Sequence, residues 1–147
     1  MVARILVIHG AGIELRGKVD VATFGPMTME DYNTQIARFA STLEIEVQIF
    51  HSLDVQEVVA KLASTKVGGM DGVIINPAGF TIGNPVVSRA LGETGLPTVE
   101  LHFSNPAKRG VVSEVAPFTT SVIAGFGIQG YFLGLLGLRD AILAMRD

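Results

Sequence analysis

The segment Pro97–Asn105, with the sequence PTVELHFSN, carries the most informative pair of polar side chains in the chain. Glu100 and His102 are two residues apart in a run typical of a β-strand, so both project from the same face. A buried carboxylate without a partner costs several kcal/mol, and a histidine beside it can neutralise it and exchange protons near neutral pH. The pair therefore predicts a general acid or base oriented by a carboxylate. A structural pair, or a glutamate paired across a subunit interface, is the alternative.

Three other polar segments follow predicted strands. Ser104–Pro106 can form a nest for a carboxylate or other small anion, and a simple turn is an equal alternative. Asn76–Asn84 combines amides, a threonine and glycines with apolar residues, which favours the wall of a shaped pocket. His9 lies beside the same predicted cleft, where it either lines the pocket or is satisfied by backbone contacts. We expect His51 on the surface.

The long connection Ala11–Met27 is typical of a lid or a binding loop. Arg16, Lys18 and Asp20 either close over an anionic ligand or are solvated loop charges. Gly125–Gly130 matches the dinucleotide pattern G-x-G-x-x-G, but no later strand is available to supply the ribose-binding acid. A tight turn with close helix packing is the favoured interpretation of those glycines.

Short apolar runs alternate with segments of helical period, which is the pattern of βαβ units around a parallel sheet. The predicted strands are Arg4–Ile8, Ile45–Phe50, Gly72–Ile75, Thr98–His102 and Ser121–Ala124. The predicted helices are Thr28–Leu43 with a capping box from Thr28 and Asp31, Asp54–Ser64, a helix capped by Asn84 that starts at Pro85, and a helix from Gly127 to Met145. This predicts one flavodoxin-like domain over residues 1–147, an α/β three-layer sandwich with strand order 2-1-3-4-5 and its ligand at the carboxyl ends of the strands.

Composition narrows the classes of function. The 147 residues are 48% hydrophobic and 17% charged, which excludes a disordered chain and, with a mean hydropathy of +0.45, favours a homo-oligomer that covers apolar surface. A net charge of −3 without a basic cluster argues against nucleic acid as a partner. The chain has no cysteine for a thiolate metal site and no apolar run long enough to span a membrane, so we expect a cytoplasmic protein without a bound metal. The loop HGAGIELRG after the first strand is not rich in serine and threonine, unlike the phosphate-binding loop of a flavodoxin, so we expect no flavin cofactor.

Four motifs together resemble the type II 3-dehydroquinate dehydratase family, over Ile5–Leu138. They are IHG at Ile8–Gly10, NPAGFT at Asn76–Thr81, VELHFSN at Val99–Asn105 and GFGIQGY at Gly125–Tyr131. The resemblance implies a flavodoxin-like lyase of the shikimate and quinate pathways, a small carboxylate substrate and a dodecamer built from four trimers.

The resemblance also implies that half of the family's chemistry is altered here. In the family, a lid tyrosine abstracts the substrate's α-proton, an arginine assists it, and an asparagine of the first loop helps to hold a water that stabilises the enolate. The tyrosine corresponds to Phe24, the arginine to Lys18 or Val19, and the asparagine to Gly12. A phenyl ring cannot accept a proton, and both tyrosines of the chain are predicted on helices.

The other half of the family's pattern is present. The resemblance assigns the general acid to His102, with Glu100 as its carboxylate partner. It assigns the substrate carboxylate to backbone groups of Phe103 and Ser104, and the ring hydroxyls to Asn76.

Positions that set specificity differ from the family pattern. Ile82 replaces a histidine, and an arginine that reaches a ring hydroxyl is either absent or replaced by Arg109. Arg89 replaces an acidic residue of the neighbouring subunit. We therefore expect a less polar pocket lined by Phe24, Phe80 and Ile82.

Three functions are compatible with this pattern. The first is a lyase or proton-transfer enzyme that uses His102 on a small cyclic carboxylic acid with fewer hydroxyls. The second is a binding or scaffold protein without catalysis. The third is a 3-dehydroquinate dehydratase whose base has been replaced.

Overall fold

The computed structural model describes residues 2–147 and contains one parallel sheet. Its strands are β1 (Arg4–His9), β2 (Glu46–His51), β3 (Gly72–Asn76), β4 (Thr98–His102) and β5 (Ser121–Ala124). They pair in the order β2-β1-β3-β4-β5, which confirms the predicted topology. The first three strands each end one residue later than predicted, so His9, His51 and Asn76 close their strands.

Helices cover both faces of the sheet. They are α1 (Val21–Phe24), α2 (Met29–Leu43), α3 (Val55–Ala63), α4 (Pro85–Glu93) and α5 (Gln129–Arg146). Helix α2 begins at the predicted capping box, in which Thr28 and Asp31 bond each other's backbone N–H groups. Asn84 precedes α4 but its side chain does not cap the helix, because its amide donates to the carbonyl oxygen of Ile82 instead.

Strand alternation divides the core into two layers. Ile5, Val7, Ile74, Val99 and Leu101 pack with residues of α2 and α5. Leu6, Ile8, Val73 and Ile75 pack with residues of α3 and α4 on the opposite face. Since neighbouring side chains of a strand point to opposite faces, Glu100 and His102 lie on the α3/α4 side and His9 and Asn76 on the α2/α5 side. No helix within residues 2–147 is long and apolar enough to cross a membrane.

The loops after β1 and β3 meet closely at the carboxyl edge of the sheet. The backbone N–H of Gly10 donates to the carbonyl oxygen of Asn76 over 2.8 Å. A Cβ atom at Gly10 would lie 2.0 Å from the carbonyl oxygen of Pro77, so this approach requires glycine. The two loops are thereby held side by side above the sheet.

Candidate active site

A cleft of about 430 Å³ opens at the carboxyl ends of β1, β3 and β4. It brings together many of the residues singled out from the sequence, namely Gly12, Arg16, Asp20, Phe24, Asn76, Ile82, His102, Phe103, Ser104 and Arg109. They come from three segments, which follow β1, β3 and β4, as expected for a site at the carboxyl edge of a parallel sheet.

Several of the residues singled out lie outside this cleft, among them Phe80, Glu100 and Arg89. Phe80 is only 4% exposed and packs in the core layer of α3 and α4, because a short 3-10 helix at Ala78–Phe80 turns it inward. Glu100 is buried and contacts the cleft only through His102. Arg89 lies in a separate groove beside Glu114.

The Glu100–His102 pair is completed by a residue that the sequence did not point to. His102 Nε2 lies 3.4 Å from Glu100 Oε1, and the Ser113 hydroxyl donates to the same carboxylate oxygen. The backbone N–H groups of Val115 and Ala116 donate to Ser113 Oγ over 3.0 and 3.2 Å. Ser113 is 13 positions from Glu100 in a loop without a motif, so only the folded chain brings the two together.

Two arginines stack near Phe24 at the mouth of the cleft. The guanidinium carbon of Arg16 lies 3.5 Å from the ring centroid of Phe24, and that of Arg109 lies 5.7 Å from it. Arg109 also donates to Ser104 Oγ over 2.9 Å. Neither guanidinium pairs with a carboxylate in the described part of the chain, so both are available to an anionic ligand.

A buried aromatic cluster lies beneath the cleft, on the α2/α5 side. His9, Tyr32 and Tyr131 have ring centroids 6.3–6.4 Å apart, and His9 Nε2 lies 2.7 Å from Asn33 Oδ1. His9 does not line the cleft. Burial lowers the pKa of His9 below its usual value, so its imidazole is neutral.

Both tyrosines are on helices, as expected, and both stay protonated at neutral pH. Burial raises the pKa of Tyr32 to about 12, although nearby Arg16 opposes the shift. Burial also raises the pKa of Tyr131, whose hydroxyl lies 3.5 Å from the amide nitrogen of Asn76. Neither phenol is therefore prepared to act as a base.

His51, expected on the surface, is only partly exposed. Its Nε2 lies 3.1 Å from Glu14 Oε1, and both side chains are half-buried. The Glu14 carboxylate also accepts from the backbone N–H of Gly12 over 2.8 and 2.9 Å. This contact ties the first loop of the cleft to the end of β2.

Comparison with known proteins places the chain in a family. Residues 3–139 match the family described as Dehydroquinase class II. The 3-dehydroquinate dehydratase of Campylobacter hominis is 36% identical over 138 residues, covering 92% of this chain and 88% of that protein.

Two solved structures have the same fold. The type II dehydroquinase of Butyrivibrio crossotus superposes with a TM-score of 0.89 at 25% identity and covers 93% of this chain and 97% of its own. That of Propionibacterium acnes superposes with a TM-score of 0.89 at 26% identity and covers 95% and 98%.

The buried phenols lead to a prediction about titration. Tyr32 and Tyr131 are the only tyrosines, so the ultraviolet absorbance of phenolate reports on them alone. In the unfolded chain both ionise near pH 10, whereas in the folded protein they remain protonated until about pH 12. Because the unfolded state loses these protons first, the free energy of unfolding should fall as the pH rises from about 10 towards 12. A phenolate signal near pH 10 without unfolding would contradict the assigned burial.

Proposed function

The chain belongs to the class II dehydroquinase family, and from this premise we propose that it is a lyase that removes water from a small cyclic carboxylic acid. The observation that carries the proposal is His102 at the floor of the cleft, 3.4 Å from a buried carboxylate. A histidine with a carboxylate partner can hold a positive charge during turnover and deliver a proton to a leaving hydroxyl. In this proposal His102 is the general acid and Glu100 stabilises its charged form.

The positive charges of two arginines that line the cleft favour an anionic substrate. Arg16 and Arg109 approach one face of the site, and Arg109 is fixed by its bond to Ser104. Guanidinium groups bind carboxylates with paired hydrogen bonds. We assign the substrate carboxylate to the region of Phe103, Ser104 and Arg109.

The remainder of the lining favours few hydroxyl groups on the substrate. Phe24 and Ile82 present carbon to the cleft, and Asn76 supplies an amide for a ring hydroxyl. A site that leaves substrate hydroxyls without partners binds them poorly. The proposed substrate is therefore less hydroxylated than 3-dehydroquinate, the substrate named for the relatives.

Phe24 makes 3-dehydroquinate itself a slow substrate. Incubation of the purified protein with it should produce a weak rise in the absorbance of the conjugated enone. Exchange of His102→Ala should reduce that rate by about 10²-fold or more, since general acid catalysis contributes that much.

Thr42→Ala is the control for this assay, because Thr42 is exposed on helix α2, donates to the carbonyl oxygen of Arg38 in the same helix and does not line the cleft. It should retain the wild-type rate. Equal rates for the wild type and His102→Ala would refute the assigned role of His102.

The position of Arg16 leads to a gain-of-function prediction. A phenol placed at residue 24 would have a guanidinium 3.5 Å from its ring centroid, which favours the phenolate form. Phe24→Tyr should therefore raise kcat with 3-dehydroquinate, because it adds a group able to take a proton. Phe24→Leu, which changes the ring without adding a hydroxyl, is the control and should bring no gain. An unchanged rate in Phe24→Tyr would show that the lid does not carry the base in this chain.

We also infer a homo-oligomer, a dodecamer built from four trimers, with Arg89 near a neighbouring site. Support comes from large apolar side chains left exposed around β5, among them Val112, Val122 and Phe126. Light scattering on the purified protein should give a mass that is a multiple of three 15.6 kDa chains. A stable monomer at micromolar concentration would contradict this assembly.

A further inference from the structure

The Ser113 hydroxyl has a fixed direction. A serine hydroxyl has one proton and two acceptor lone pairs. Both lone pairs are occupied, since the N–H groups of Val115 and Ala116 donate to Oγ over 3.0 and 3.2 Å. The proton can therefore go only to the third neighbour, Glu100 Oε1.

This direction determines the charge on Glu100. Oε1 accepts from Ser113, so it cannot carry a proton directed at that hydroxyl. A proton on Oε2 would be buried without an acceptor among residues 2–147, which is unfavourable. Glu100 is therefore an ionised carboxylate that only accepts hydrogen bonds.

An ionised Glu100 in turn selects one tautomer of His102. His102 Nε2 is buried and lies 3.4 Å from Glu100 Oε1, a charge contact without the geometry of a hydrogen bond. A lone pair on Nε2 would face negative charge, whereas an N–H there is attracted to it. In neutral His102 the proton therefore belongs on the buried Nε2, and the lone pair is on Nδ1.

We propose that Ser113 is a positioning residue that holds the Glu100–His102 pair in this pattern, so that His102 meets the substrate as a base through Nδ1. The inference deepens the proposed function and rests on it for the reaction. In this proposal His102 Nδ1 accepts the proton, which the phenyl ring of Phe24 cannot do. Ser113 acts through Glu100 and does not line the cleft.

The proposed reaction needs no proton-transfer group other than His102. Nδ1 takes the proton from the carbon next to the substrate's carbonyl group, and the electron pair of that C–H bond forms an enolate. The resulting imidazolium is stabilised by Glu100. When the enolate collapses, the C–O bond to the leaving hydroxyl breaks and the imidazolium returns its proton to that oxygen. The products are the unsaturated acid and water, and His102 is again neutral.

The decisive experiment compares the tautomer of His102 in Ser113→Ala and in the wild type. Nitrogen-15 chemical shifts of the imidazole distinguish a proton on Nε2 from one on Nδ1, and the His102→Ala spectrum assigns the signal. The wild type should have the proton on Nε2, and Ser113→Ala should lose this preference. The conservative Ser113→Thr keeps the hydroxyl and should restore it.

Turnover of 3-dehydroquinate provides the second readout. Ser113→Ala should lower kcat by about tenfold or more and leave KM unchanged, as for other residues that orient a reacting group. Ser113→Thr should recover most of the rate. Thr119→Ala is the matched control, because Thr119 donates to the Ala116 carbonyl oxygen in the same loop and does not touch Glu100.

The outcomes separate the two proposals. An Nε2–H tautomer that persists in Ser113→Ala, or an equal loss of kcat in Thr119→Ala, overturns the positioning role of Ser113. A proton on Nδ1 in the wild type overturns the assignment of His102 as the base. A wild-type protein without lyase activity overturns the proposed function, and the spectra still decide the role of Ser113 because they require no substrate.

Discussion

A carboxylate buried to 1% exposure within the sheet is the constraint on which the rest of the site depends. Glu100 sits on the second strand from the sheet edge, paired with Ile75 on one side and Val122 on the other. Apolar neighbours cannot stabilise its negative charge, so polar partners must do so. His102, two residues along the same strand, is one partner, and Ser113, in the loop before β5, is the other. The end of β4 and the loop before β5 are thereby held in one arrangement, with an imidazole at the floor of the cleft.

Strand alternation then distributes the chemistry between the two faces of the sheet. The proton-exchanging pair lies on the α3/α4 side, and the buried phenols with His9 lie on the α2/α5 side. The two groups meet only at the carboxyl edge, where Asn76 contacts Tyr131 below and the cleft above. The α3/α4 face carries the ionisable pair Glu100 and His102, and the α2/α5 face carries buried aromatic side chains that are uncharged at neutral pH. The phenols stay protonated at neutral pH and take no part in the proton transfer proposed for His102.

Much of the fold could be predicted because its signals are local. Apolar periodicity identifies the five strands, and the spacing of Glu100 and His102 is enough to place them on one face. Ser113 has no such signal, because its partner is distant in sequence and its role comes from a loop turn. The contact of His51 with Glu14 is long-range in the same way. Phe80 differs from the expected pocket lining because a 3-10 turn, which apolar spacing does not reveal, directs it into the core.

In the loop after β1, Phe24 keeps the Arg16 guanidinium beside the cleft but offers no group that can accept a proton. Arg16 stacks on Phe24 as a cation does on any electron-rich ring, so the ring retains the guanidinium without offering a hydroxyl. The remaining phenol nearest this guanidinium, Tyr32, has a pKa of about 12 and stays protonated. In the proposed mechanism the proton removed from the substrate goes to an imidazole. His9 is neutral but lies outside the cleft, bonded to Asn33, whereas His102 lines it. Of the two, burial and geometry therefore favour His102 for the proposed role.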